Sequence, residues 1–303
     1  MHPAFTLVHQ EVINLSKKLI PYLLLVPTFL IIGLFIYYPA VMTFQKSFYR
    51  VSPFGNRVFF VGLKNFESLF ESPSYQQEAV TTLIFVVVSI FVGLVISLLF
   101  SLLLNEKVPG IGIFRTIIFS PYAVSPAIAG MLWSFLLNPV VGYVSYAFLR
   151  IFGVQTHWLT SYPAALMAII VATIWQNLGF NIIFFLSGLQ GIPESYYEAA
   201  RIDGAGAVKR FFNITVPLLS PITFYLAIMD VTFTMFSSFG IIDIMTQGGP
   251  GNTTTTFIYR LYRDGFIYFN SGMASAESIV LILIMGIVTF IYFKFVQKAV
   301  HYR

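Results

Sequence analysis

Residues 192–217 read IPESYYEAARIDGAGAVKRFFNITVP and hold six charged groups, Glu194, Glu198, Arg201, Asp203, Lys209 and Arg210, in a chain only 10% charged. Pro193 suits a first helical turn, where its missing N–H costs nothing, and Glu194 then faces the positive end of the helix. The pattern predicts a short helix to about Ile202, a turn at Asp203-Gly204 prolonged by Gly206, and a second short helix over Ala207 to Ile214. Lys209 and Arg210 would face water, and Pro217 would open the next apolar run. An ordinary interfacial loop with solvated charges fits this pattern. The small Ala199 and Ala200 also leave room for close approach by another surface.

What flanks the segment is almost entirely apolar. The 303 residues are 57% hydrophobic and 17% aromatic, more than one soluble core absorbs. Runs near 20–43, 79–104, 114–137, 163–189, 217–242 and 275–297 each approach the roughly 20 apolar residues that cross a bilayer. An all-α integral membrane protein with six transmembrane helices in a single domain is therefore expected. The first run, Pro21 to Met42, is too long for a signal h-region and is expected to stay as a span. A seventh patch, Val140 to Val154, is too short and should lie at the interface.

Basic residues set the orientation. With the N-terminus inside, the inner segments hold Lys17, Lys18, Lys107, Arg115, Arg201, Lys209, Arg210, Lys294, Lys298 and Arg303. The outer ones hold Lys46, Arg50, Arg57, Lys64, Arg150, Arg260 and Arg263. Ten against seven favours both termini inside, with the 192–217 loop cytoplasmic. The net charge of +5 is then a matter of membrane topology, not of nucleic-acid binding.

Several polar groups interrupt the apolar runs. The third contains SPYAVSP, in which Pro121 and Pro126 each remove an intrahelical donor and predict a kink or local unwinding. Either a water-filled cavity or simple packing accommodates such a break. The fourth holds Thr173, Trp175, Gln176, Asn177 and Asn181; the fifth holds Asp230, Thr234, Ser237 and Ser238. Offsets of four and three place Asp230, Thr234 and Ser237 on one helical face. Amides beside an aromatic ring suit a polyol; hydrogen bonding between helices uses the same residue types. Asp230 costs about 2.5–3.5 kcal/mol to insert and is a functional candidate, either protonated or paired with a cation on a partner.

After the fifth run, GGPGNTTTTFIYRLYRDGF predicts a turn, a Thr-capped short helix, and Arg260 and Arg263 on one face. An interfacial helix anchored by Tyr and Arg has the same signature. No GxxxxGK[ST] phosphate loop occurs, so this chain does not itself cradle ATP. His2, His9, His157 and His301 have no metal-ligand spacing, and cysteine is absent. No catalytic residue, metal site or cofactor is expected on the chain.

Glu198-Ala199-Ala200, Gly204 and Ile214-Thr215-Val216-Pro217 stand at the spacing of an EAA loop, with Val216 where leucine is usual. In this the chain resembles the permeases of binding-protein-dependent ABC importers. SPYAVSPAIAGMLWSFLLNP, TQGGPGNTTTTFIYRLYRDGF, VSPFG and FVGLKNFESLF extend the likeness to the carbohydrate-uptake, maltose-type branch, and within it to the subgroup handling sn-glycerol 3-phosphate. The resemblance implies a type I importer permease fold in a bacterial inner membrane. It implies that Glu198, Ala199, Ala200, Arg201, Asp203 and Gly204 dock on an ATPase subunit. The implied partners are a second permease, two ATPases carrying ATP and Mg, and an extracytoplasmic binding protein. Tyr122, Ser125, Thr173, Gln176, Asn177, Ser237 and Ser238, around Trp175, would then line the substrate path, and Arg260 and Arg263 would meet the binding protein. A proton- or sodium-driven transporter would want more intramembrane carboxylates and internal repeats.

Overall fold

The computed structural model describes residues 20–52, 58–106 and 109–296. Lys17, Lys18, Arg57, Lys107, Lys298, Arg303, His2, His9, His301 and the last three residues of VSPFG lie outside them.

Among the described residues, four helices are long and apolar enough to cross a membrane unbroken: α1 (Ile20–Lys46), α3 (Pro73–Leu104), α7 (Ala164–Gln190) and α13 (Ser271–Lys294). The other two expected crossings are bent pairs. Helices α4 (Ile111–Ala123) and α5 (Pro126–Leu136) meet at 104°, and α9 (Ala207–Leu218) and α10 (Ser220–Ser237) meet at 64°. Six crossings result if each pair counts as one.

The first bend is sharper than a kink. A residue preceding proline is pushed out of the helical region, and Ser125 accordingly takes φ −65°, ψ 150° ahead of Pro126, with Val124 also extended. The second bend falls later than expected. Pro217 does not open the fifth span, and the loop's second helix does not stop at Ile214, because α9 runs on through Leu218. A widened turn over Phe211–Thr215, closed by Val216 N–H to Phe211 O, gives the proline ring its space. The chain then turns at Leu219, and Pro221 occupies the first turn of α10.

A two-stranded antiparallel hairpin, β1 (Tyr49–Val51) with β2 (Val58–Phe60), departs from the all-α expectation and pairs Arg50 with Phe59. Helix α2 (Lys64–Glu71) follows it. The apolar patch at 140–154 forms α6 (Tyr143–Phe152), too short to span, as expected.

The centre of the bundle is the seam between α3 and α7. Ser89, Gly93, Ser97 and Ser101, four apart, are buried on α3, and a Cβ built on Gly93 would touch Ile174 of α7 at 3.8 Å. Helix α7 is the most enclosed span; α1 has no buried residue in its apolar window. Behind α7, Gly179 lies so close to the broken third span that a Cβ there would come 2.7 Å from Phe119 Cα. Gly179→Ala should therefore force the two apart and destabilise by about 1–3 kcal/mol. Gly112→Ala, which meets nothing within 4 Å, should stay near wild type. Thermal unfolding of the two variants in lipid nanodiscs compares them directly. Helix α5 packs in the same intimate way on α11 (Phe239–Met245), through Gly130 and Gly240.

Candidate functional site

The charged loop is a helix-turn-helix. Helix α8 (Glu194–Ile202) ends on Gly204, whose φ of +75° needs a residue without Cβ strain. Ala205 N–H donates to Ala200 O at 2.8 Å and Gly204 N–H to Arg201 O at 3.0 Å, closing the helix end. The Tyr197 and Thr215 hydroxyls, 3.0 Å apart, join the two arms. Glu198, Ala199, Arg201, Asp203 and Gly204 are exposed, and Ala200 is half-buried. Among the described residues, Glu198, Arg201 and Asp203 make no ion pair. Ile202 and Val208, not singled out from sequence, are 87% and 72% exposed beside the turn. Apolar groups at water-facing positions were the signal for them. Unpaired charge around exposed aliphatic groups is the make-up of a contact surface.

At mid-depth the polar residues do not form one open path. Asn177 Nδ2 donates to Asp230 Oδ1 at 2.5 Å and Asn181 Nδ2 to Oδ2 at 2.8 Å. Thr173, Thr234 and Ser89 of α3 line the same buried pocket. Gln176 Nε2 donates to Val124 O at 2.7 Å and so satisfies a carbonyl that the third-span break leaves free. Trp175 is half-buried and meets Trp133 edge-on at 6.0 Å.

The expected face Asp230–Thr234–Ser237 is corrected. A widened turn over Phe233–Ser237, closed by Ser238 N–H to Phe233 O, adds a residue to the turn. Ser238 is thereby buried, donating to Thr234 O at 2.6 Å, and Ser237 is exposed. Tyr122, stacked on Phe180 at 5.2 Å, and Ser125, whose Oγ accepts from Ile128 N–H at 3.4 Å, are exposed too. The sequence-derived set thus divides into an enclosed cluster and a surface group of Tyr122, Ser125 and Ser237.

At the end of the bundle away from the charged loop, Arg260 and Arg263 turn inward instead of out. Both belong to the segment beginning with α12 (Phe257–Tyr262). Arg260 donates to Glu78 Oε2 at 2.6 Å, Glu277 Oε1 at 2.7 Å and Ser74 Oγ at 3.0 Å, and approaches Asp264 at 3.6 Å. Arg263 reaches Glu78 Oε1 at 3.2 Å and Asn252 Oδ1 at 2.7 Å. The reason is the burial of Glu78 and Glu277, 0% and 4% exposed, which demands cations. A carboxylate at the edge of one apolar run, Glu78, and one inside another, Glu277, were the overlooked signal. Burial works against the Arg260 charge, but the hydrogen bonds it donates to Glu78 and Glu277 outweigh it and hold the guanidinium above its ordinary pKa. The expected Thr cap on α12 is also replaced, since Thr82 Oγ1 of α3 accepts from Phe257 N–H at 3.1 Å.

The family described as binding-protein-dependent transport system inner membrane component matches residues 14–302. The sn-glycerol-3-phosphate transport system permease protein UgpA of Agrobacterium fabrum is 40% identical over 286 residues, spanning 94% of this chain and 97% of that one. Its counterpart in Pectobacterium atrosepticum is 38% identical over 284 residues, 94% and 96% of the two chains. Among solved structures, a chain of a bacterial ABC transporter importing the acidic polysaccharide alginate superposes with a TM-score of 0.83 at 22% identity, over 95% of this chain and 99% of that one. The alginate transporter bound to a pentasaccharide-loaded periplasmic protein gives 0.81, also at 22%, over 94% and 96%. A fold shared end to end, and relatives this similar along nearly their whole lengths, lead to one assignment: the chain belongs to the binding-protein-dependent transport system inner membrane components, as a multi-pass permease of the inner membrane.

Proposed function

We propose that the chain is the permease subunit through which an ABC importer brings sn-glycerol 3-phosphate, or a related polyol or sugar, into the cell. The observation that carries the substrate is the 38–40% identity to permeases of that transport system over nearly the full chain. Energy enters at the charged loop. Helix α8 and its Gly204 turn present unpaired charge and bare aliphatic groups, as a docking element for an ATPase subunit on the cytoplasmic side does. ATP and Mg belong to two such ATPases, a second permease completes the path, and an extracytoplasmic binding protein delivers the substrate. Tyr122, Ser125 and Ser237 are the groups exposed for a path shared with that second permease. None of the three is a cation, so recognition of a phosphate falls to the binding protein or to the partner permease.

Calorimetric titration of the cognate binding protein tests the substrate, with uptake into proteoliposomes holding the assembled complex. Tight binding of sn-glycerol 3-phosphate and ATP-dependent uptake are expected. Binding of an unphosphorylated sugar in its place would remove the substrate assignment, and uptake that persists without ATP would remove the importer reading altogether.

A further inference from the structure

The pocket around Asp230 has a feature that substrate transport does not explain. It lies between α3, α7 and α10 and leaves about 10 Å³ for the centre of a guest, the room one water-sized particle needs. Asp230 is 4% exposed, and Ser89, Thr173, Asn177, Asn181 and Thr234 are all buried beside it. A carboxylate only accepts, so both asparagines turn their N–H groups to it. The remaining amide oxygen of Asn181 has no hydrogen-bond partner among the described residues; nor does Ser89 Oγ. Both residues line the pocket.

The charge is equally unbalanced. Among the described residues no Lys, Arg or His contributes to the lining, and two neutral amides do not compensate a buried carboxylate. Every polar atom left over is an oxygen, the donor type that hard cations take. One carboxylate matches a single positive charge, and the cavity is too small for a hydrated ion.

We propose that this pocket binds one sodium-sized monovalent cation, held by the Asp230 carboxylate, Asn181 Oδ1 and the Ser89 hydroxyl, with Thr173 and Thr234 completing the oxygen shell. The ion is resident and not transported, because Asp230 and the polar side chains around it are all buried among the three helices. It ties α10 to the α3–α7 seam through charge as well as through packing. This is independent of which substrate the permease carries.

The test is the thermal unfolding midpoint of the assembled complex in nanodiscs, measured in NaCl, KCl and choline chloride at equal ionic strength. For wild type the midpoint should rise saturably with Na⁺, by about 5–10 °C once Na⁺ reaches roughly 100 times its Kd, with little response to choline. Asp230→Asn, which keeps the shape of a protonated acid, should lose the response, and Ser89→Ala should shift it to higher Na⁺. A wild-type midpoint that is the same in all three salts would overturn the proposal, leaving a proton on Asp230 or a water in the pocket as the resolution. An equal Na⁺ response in wild type and both variants would place the effect elsewhere and overturn it as well. The wild-type salt comparison stands even where a variant fails to assemble.

Discussion

Arg260→Ala is expected to lower stability by about 3–5 kcal/mol, the cost of removing one partner from a buried ion pair. The guanidinium serves Glu78, Glu277 and Ser74 together, and its loss strands two carboxylates that have almost no access to water. Glu78 would retain only the weaker bond from Arg263. The loss should be partly restored in Arg260→Ala/Glu78→Gln, since a neutral amide needs no cation. Arg263→Ala should cost less, because one of its two bonds goes to the exposed Asn252. Unfolding in nanodiscs of wild type, Arg260→Ala, Glu78→Gln and the double variant, analysed as a double-mutant cycle, measures the coupling. An Arg260→Ala protein as stable as wild type would mean that the carboxylates are satisfied without it.

Gly204→Pro should abolish ATP-driven uptake while the protein still inserts and folds. Gly204 sits at φ +75°, and proline fixes φ at about −65°, so the turn must take another course. Ala205 N–H to Ala200 O is then broken, and with it the presentation of Glu198, Ile202 and Asp203. Nothing lies within 4 Å of a Cβ on Gly204, so the damage comes from backbone geometry and stays in the loop. Gly204→Ala should be milder, meeting strain of about 1–3 kcal/mol at positive φ. Copurification with the ATPase and uptake in proteoliposomes should both fall to the level of the ATP-free control for the proline variant. Uptake that survives the substitution would show that the loop does not couple.

The spans and the loop were legible because each announces itself over many residues, as a long apolar run or as charges clustered in a chain that has few. The break at Val124–Ser125 was legible in kind, since prolines act on their immediate neighbours. Its size was not, because the angle depends on Gln176 catching the freed carbonyl from another helix. The inward turn of Arg260 was hidden for a similar reason, its partner Glu78 being 182 residues away. The exchange of Ser237 for Ser238 depends on one extra residue in a turn, which packing selects and composition does not reveal. Three-residue strands such as Tyr49–Val51 carry too short a pattern to be read.

The stripe of Ser89, Gly93, Ser97 and Ser101 has a mechanical consequence. Hydroxyls and a bare glycine let α3 lie close to α7 along this stripe, while Leu94, Leu98 and Leu102 beside it pack against the cluster of Phe185 and Leu189. At one end α3 is pinned, because Glu78 is clamped to Arg260 of α12, which also holds Glu277 of α13. Toward the charged loop it runs on small groups to Ser101. A rod fastened at one end pivots about the fastening, and a push applied at the loop end acts on the long arm of that lever.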